Sequence, residues 1–75
     1  MIGGIQMEKT KIRINYFADN TQPRVIVQYW DSEENKWEDD CMLTKTDFNT
    51  REQARNYIEG LKQLDEVEVV NVDVY

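Results

Sequence analysis

The sequence contains no histidine and only one cysteine, and both shortages limit its chemistry. Without histidine the chain lacks the usual general base near neutral pH and the commonest ligand of transition metals. One thiol cannot close an internal disulfide, and one thiol without imidazoles cannot complete a tetrahedral zinc site. Because no base is available to activate Cys41, we expect it to be a small core residue.

Long hydrophobic runs and glycine-rich phosphate-binding loops are also missing. No apolar stretch approaches the roughly 18 residues that cross a membrane, and Met1 to Gln6 lacks the pattern of a signal peptide. We therefore expect a cytoplasmic protein with no membrane partner. Gly3 and Gly4 predict a flexible N-terminal tail over residues 1–7, which leaves residues 8–75 as a single domain.

Adjacent carboxylates occur as the pair Glu33 and Glu34 and the pair Asp39 and Asp40. Glycoside hydrolysis needs one carboxyl group with a raised pKa across a cleft that holds sugar. Neighbouring acids on a solvated hairpin supply neither the burial nor the cleft. Together with the missing histidine, this predicts a protein that is not an enzyme and needs no cofactor.

A calcium loop is the remaining metal site to consider. Asp31, Glu33 and Asn35 alternate as the first ligands of an EF-hand loop do. The position that requires glycine is occupied by Lys36, and the twelfth position, which requires glutamate, is Met42. We therefore predict no metal site.

Alternating side chains predict three strands in the first part of the chain. Residues 11–17 alternate apolar and polar side chains, as a strand with one wet face does. Residues 24–30 are β-branched or aromatic on both faces, which favours a central position in a sheet. Turn residues 19–23 join these strands, and residues 32–36 close a hairpin to a less regular third strand over residues 37–46.

One amphipathic helix and a last strand are predicted to follow. Thr50 with Gln53 three residues later fits a capping box at the helix start. Gly60 inside the helix costs about 1 kcal/mol relative to alanine, which suggests close approach to a strand beneath. Residues 67–75 are β-prone and, after a helical crossover, are expected to run parallel to a neighbouring strand. The apolar positions at helical spacing are Ala54, Tyr57, Ile58, Leu61 and Leu64. The predicted fold is α+β, a four-stranded, mostly antiparallel sheet with one helix packed on one face, in the order β-β-β-α-β.

Charge is distributed unevenly along the chain. Fifteen acidic residues against nine basic ones give a net charge of −6. The segment Tyr29 to Asp40, YWDSEENKWEDD, places two tryptophans among six carboxylates. Such a surface repels polyanions and attracts cationic proteins, and tryptophan often anchors an interface. The predicted partner-binding residues are Trp30, Asp31, Glu33, Glu34, Trp37, Glu38, Asp39 and Asp40.

Residues 25–64 resemble the three-stranded-sheet-plus-helix arm-type domains at the N-terminus of phage and transposon integrases. The shared pattern is a strand, a polar turn, a second strand and a helix start of the form F-x-T-x-E-x-A. The resemblance implies DNA binding by basic and aromatic residues of the sheet. The acidic hairpin departs from that pattern, because phosphate binding depends on lysine and arginine. The matching residues are Trp30, Lys36, Phe48, Thr50, Glu52 or Gln53, Ala54, Ile58 and Leu61.

In size and charge the chain is similar to small phage-encoded inhibitors of the anti-CRISPR and anti-restriction classes. We therefore expect an inhibitor that occupies the basic, nucleic-acid-binding surface of a protein partner such as a host nuclease. One alternative is a nucleic-acid-binding module that uses Lys11, Arg13 and Arg24. Another is a structural component, with a homodimer formed through the C-terminal strand. A further alternative assigns no binding function to the hairpin: its acids only solubilise the protein, and Trp30 and Trp37 pack as a cross-strand pair.

Overall fold

The computed structural model describes residues 9–19 and 21–75. The predicted N-terminal tail over residues 1–7 lies outside the described residues, as does Asn20 of the first predicted turn. The elements are β1 (Thr10–Phe17), β2 (Arg24–Asp31), β3 (Lys36–Asp39), α1 (Arg51–Lys62) and β4 (Val67–Val74). The order β-β-β-α-β is the one predicted from the sequence.

These strands form one mixed sheet in the order β3-β2-β1-β4. The pairs β1–β2 and β2–β3 are antiparallel, and β4 runs parallel to β1. The fold class, the internal position of β2 and the parallel last strand are thereby confirmed. α1 has 12 residues, and the described part of the chain holds no helix with the length and apolarity needed to cross a membrane.

The core lies between α1 and one face of the sheet. Side chains alternate between the faces of a strand, and the register places Ile14 opposite Val27, so apolar residues of β1 and β2 share the covered face. Full burial of one aliphatic side chain stabilises the fold by about 1.5–3 kcal/mol. The side chains on this face therefore supply most of the hydrophobic stabilisation of the fold. The buried residues are Ile12, Ile14, Tyr16, Val25, Val27, Phe48, Ala54, Ile58 and Leu61.

The start of α1 follows the predicted capping pattern with one change. Thr50 has extended backbone dihedrals, and its Oγ1 accepts a hydrogen bond from the Gln53 amide at 3.2 Å. The Gln53 side chain accepts from the Asn49 amide at 3.0 Å rather than from that of Thr50. Both bonds satisfy amide groups near the helix start that the helix itself leaves unpaired.

The third strand is shorter than predicted, since β3 ends at Asp39 and not at Thr46. The carboxylate of Asp40 accepts hydrogen bonds from the Met42 and Leu43 amides, both at 3.0 Å, and this turn ends the strand. Cys41 lies in the turn and is exposed, so the expectation of a core cysteine was wrong.

Gly60 lies on the exposed side of α1, and the expectation of close approach to a strand was also wrong. A Cβ atom at this position would have no heavy atom within 4 Å, and the residue does not have a positive φ. We therefore expect Gly60→Ala to raise the free energy of unfolding by about 0.5–1 kcal/mol, because alanine loses less backbone entropy in a helix. Urea denaturation monitored by circular dichroism measures this change. A neutral or destabilising effect would mean that Gly60 has a contact beyond those described.

Candidate interaction surface

The sheet has a second face, on the side opposite α1. In the segment between β3 and α1, Leu43 and Phe48 pack with the core on the covered side, and Lys45 pairs with Val25 of β2 at the edge of the sheet. Among residues 9–19 and 21–75, no element packs over the opposite side, which we call the open face. The side chains on this face include Arg13, Asn15, Phe17, Arg24, Ile26, Gln28, Trp30, Trp37 and Tyr75.

A cation and two tryptophans form the first cluster of the open face. Trp30 lies directly opposite Trp37 in the β2–β3 pair, and the rings meet edge to face with centroids 5.5 Å apart. The Arg13 guanidinium lies over the Trp37 ring at 4.7 Å from its centroid. The predicted cross-strand tryptophan pair is thus confirmed. Stacked arginine and tryptophan are the residue types that dominate binding energy at protein interfaces.

A polar chain across three strands fixes the orientation of Arg13. Its Nε donates to Gln28 Oε1 at 2.7 Å, and Gln28 Nε2 donates to Asp39 Oδ1 at 3.0 Å. The register places Arg13 opposite Gln28 and Gln28 opposite Asp39, so the three side chains lie in one row on the same face. Holding Arg13 in place before binding lowers the entropy lost when a partner contacts it.

A second aromatic cluster lies at the other end of the open face. The rings of Phe17 and Tyr75 stack with centroids 4.8 Å apart and an interplanar angle of 15°. The Arg24 guanidinium lies over the Phe17 ring, 4.7 Å from its centroid. Each end of the open face therefore carries one aromatic cluster, and each cluster includes one arginine.

The structure divides the predicted partner-binding residues between the two faces of the sheet and the turns beside β3, since Glu33, Glu34 and Asp40 lie outside the strands. Trp30, Trp37 and Asp39 belong to the open face. Alternation turns Asp31 and Glu38 to the opposite side, where the Tyr29 hydroxyl donates to Glu38 Oε2 at 3.3 Å. The tryptophans and acids therefore do not form the single patch that was expected. The tryptophans lie on the open face, and the acids of the β2–β3 hairpin lie on both faces of the sheet and in the turn.

Several of the hairpin acids have local structural contacts. Asp31 Oδ1 accepts from the Glu33 and Glu34 amides at 3.0 and 3.3 Å, which closes the turn. The Lys36 ammonium lies 2.9 Å from a Glu34 carboxylate oxygen and 3.3 Å from one of Glu38. In the part of the chain that is described, Glu33 is the predicted acid with no hydrogen bond or ion pair from its side chain.

Carboxylate oxygens of Asp31, Glu34 and Glu38 lie within 4.8 Å of one another, as the oxygens of a cation site would. Lys36 supplies the counter-charge in this cluster, and its hydrogen bond to Glu34 raises the Lys36 pKa. The same negative charge acts on the neighbouring phenol, because the Glu38 carboxylate raises the pKa of Tyr29. The cluster is accounted for as an ion-paired hairpin.

The nucleic-acid alternative depends on three cations, which all lie on the open face: Lys11 and Arg13 at odd-numbered positions of β1, and Arg24 at an even-numbered position of β2. An open cavity of about 550 Å³ lies at the Lys11 end and is also lined by Lys9, Trp30 and Glu68. The structure therefore brings the predicted cations and the predicted tryptophan anchors together on one surface.

Sequence reasoning missed Phe17, Gln28 and Tyr75 as members of this surface. Phe17 has the same parity as Arg13 in β1, so alternation alone places it on this face. Tyr75 reaches the face because the register of β4 against β1 shifts after Val69, leaving Val70 as an extra residue. The double valine at 69 and 70, which interrupts the alternation of apolar and polar residues, was the signal for that irregularity.

Comparisons with known proteins found no matching family model, no similar curated protein and no similar solved structure. The integrase-like and inhibitor-like resemblances of the sequence stay predictions.

Proposed function

We propose that the protein is a non-catalytic binding module that captures a protein partner through the open face. The observation that supports this most is the Arg13–Trp37–Trp30 cluster, held by Gln28 on a sheet surface that no described element covers. Half-buried tryptophans next to an ordered arginine can bury their remaining exposed area with little further loss of side-chain entropy. Such residues form the energetic centre of an interface.

The state of the aromatic rings favours a protein partner over nucleic acid. Bases stack on exposed π faces of aromatic side chains. Here Arg13 lies over the Trp37 ring, and Phe17 is contacted by both the Tyr75 ring and the Arg24 guanidinium. A base that stacks on Trp37 or on Phe17 would have to displace these partners, whereas a protein surface can pack against the outer edges of the clusters as they stand.

The charge of the molecule favours a partner with a basic surface. None of the charged residues that the structure describes is buried, so the hairpin acids beside the open face remain in contact with solvent. Their field attracts cationic surfaces over a distance of about one Debye length, roughly 8 Å at physiological salt. A basic groove that otherwise holds nucleic acid fits this charge, and an inhibitor of anti-CRISPR or anti-restriction type is the specific form of the proposal.

Nucleic-acid binding is the second candidate, because Arg13 and Arg24 lie with four aromatic rings on one face. Gel-shift assays with random single-stranded and duplex DNA and RNA at low salt separate the two candidates. The protein-binding proposal predicts no shift at micromolar protein concentration. A shift that weakens steeply with salt would support the second candidate instead.

The acids of the turn are expected to act on the rate of association. In a Glu33→Gln, Glu34→Gln variant, the association rate with a partner isolated by affinity capture should fall on the order of fivefold at low salt, with little change in the dissociation rate. The matched control is the double variant Glu52→Gln, Glu59→Gln on α1, which removes the same two negative charges. In each double variant one of the two acids forms an ion pair, Glu34 with Lys36 and Glu59 with Lys62. Surface plasmon resonance at two salt concentrations measures both rates. Equal association rates for the two variants would contradict a steering role of the hairpin.

A further inference from the structure

The outer edge of β4 is a second surface of the protein, separate from the open face. In the sheet order β3-β2-β1-β4, β4 pairs with β1 alone among the described residues. It has eight residues and no proline. The opposite edge is the four-residue β3, which carries Lys36, Glu38 and Asp39. A long edge strand presents a row of backbone donors and acceptors to any chain that can pair with it, whereas short charged edges resist such pairing.

Apolar exposure is concentrated at this edge. Val70, Val74 and Tyr75 are 44%, 66% and 66% exposed, and they are three of the four large hydrophobic residues that are exposed in the described chain. An apolar groove of about 320 Å³ runs between β4 and α1, with Ile58 and Val72 in its lining. A fifth strand added to this edge would therefore find both unpaired backbone and an apolar groove beside it.

We propose that the strand added at this edge is β4 of a second copy of the chain. Antiparallel pairing of two β4 strands about a two-fold axis would make one continuous eight-stranded sheet, with both α1 helices on the same side. Edge-to-edge pairing of this kind produces a self-complementary interface, in which the same patch is used by both copies.

The charges of β4 are compatible with this symmetry. Over residues 70–75, which follow the irregularity of β4, the two-fold axis must pass between a residue and its own copy, so even-numbered residues lie opposite even-numbered ones. Asp73 then lies opposite its own copy only when the axis is at Asp73, and every other register separates these two like charges. Like charges in opposite positions would be destabilising.

One register fits the side chains best. With the axis at Val72, Asn71 lies opposite Asp73 of the second copy, and Val74 lies opposite its Val70. Within one chain the Asn71 amide already donates to the Asp73 carboxylate at 2.9 Å, so the same donor and acceptor can form this contact between copies. The pairing also covers two of the exposed valines.

Analytical ultracentrifugation of the isolated 75-residue chain tests the proposal. The mass should rise with concentration from that of the 9.0 kDa monomer to twice that value. Dimerisation should strengthen with added salt, because each copy has a net charge of −6. A mass that stays at the monomer value up to millimolar concentration would overturn the proposal.

Val74→Lys should weaken dimerisation at least tenfold by placing a cation in the apolar pair. Thr46→Lys, in the exposed loop before α1, is the control with the same charge change and should leave the dimer intact. Circular dichroism establishes that both variants fold. A dimer that survives Val74→Lys would contradict the proposal. A wild-type protein that stays monomeric, binds an extended peptide of a partner protein and loses that peptide in the Val74→Lys variant would also contradict it, because the edge would then bind the partner. Trp37→Ala should not change the mass, which separates this interface from the open face.

Discussion

Replacing Ile14 by alanine is expected to lower the free energy of unfolding by about 2–5 kcal/mol, the range for truncating a fully buried aliphatic residue. Ile14 has no exposed surface and lies in β1 opposite Val27, beneath α1. A domain of 75 residues is typically stabilised by about 4–11 kcal/mol in total, so this one substitution removes a large share. Urea denaturation at constant temperature measures the loss.

The matched control for Ile14→Ala is Ile26→Ala in the neighbouring strand. Ile26 lies opposite Asn15 and on the open face, where it is half-buried. We expect this substitution to cost about 1 kcal/mol or less, because partly exposed positions lose less contact area and leave no closed cavity. Equal costs for the two variants would mean that both faces of the sheet are covered, and the open face could not then be free for a partner.

Replacing Trp37 by alanine is expected to weaken binding of the protein partner at least 30-fold, which corresponds to the loss of about 2 kcal/mol or more at an interface hot spot. Trp37 contacts both Trp30 and the Arg13 guanidinium, so its removal also leaves Arg13 without its stacking surface. The aromatic pair adds about 0.5–1.5 kcal/mol to folding stability beyond the area that it buries, and circular dichroism establishes that the variant folds. Isothermal titration calorimetry with the captured partner gives the affinity.

Tyr29→Ala provides the control for this loss. Tyr29 lies in the same hairpin but on the opposite side of the sheet, where it packs against the core and donates to Glu38. At a temperature well below both melting transitions, the affinity of this variant should stay within about threefold of the wild type. If the two variants lose equal affinity, the partner contacts the hairpin as a whole and not the open face.

Much of the fold follows from local patterns in particular residues. The β-branched and aromatic residues of β2 predicted its internal position, and Thr50 predicted the start of α1 through its side-chain cap. Two other expectations failed because they depend on tertiary contacts. A glycine such as Gly60 lowers helix stability by the same amount whether or not a strand lies beneath it, so its presence does not indicate close packing. Cys41 is exposed because the Asp40 carboxylate forms a turn that ends β3 before this residue.

The candidate surface was predictable only in part. The sequence identified Trp30 and Trp37, and it placed Arg13 on a polar strand face. Their stacking depends on the register between β1, β2 and β3, which sequence spacing within one strand does not determine. The position of Tyr75 depends on the irregularity at Val70, since a regular register with Val70 opposite Arg13 would turn Tyr75 to the covered side of the sheet.

Hydroxyl-radical footprinting of the wild-type protein, free and bound to its captured partner, tests the role of the open face most directly. Mass spectrometry measures the oxidation rate of each aromatic side chain in the two states. Binding through the open face predicts that Trp30 and Trp37 oxidise several times more slowly in the complex, while Tyr57 on α1 is unchanged. Unchanged tryptophan oxidation, with protection on α1 instead, would contradict it.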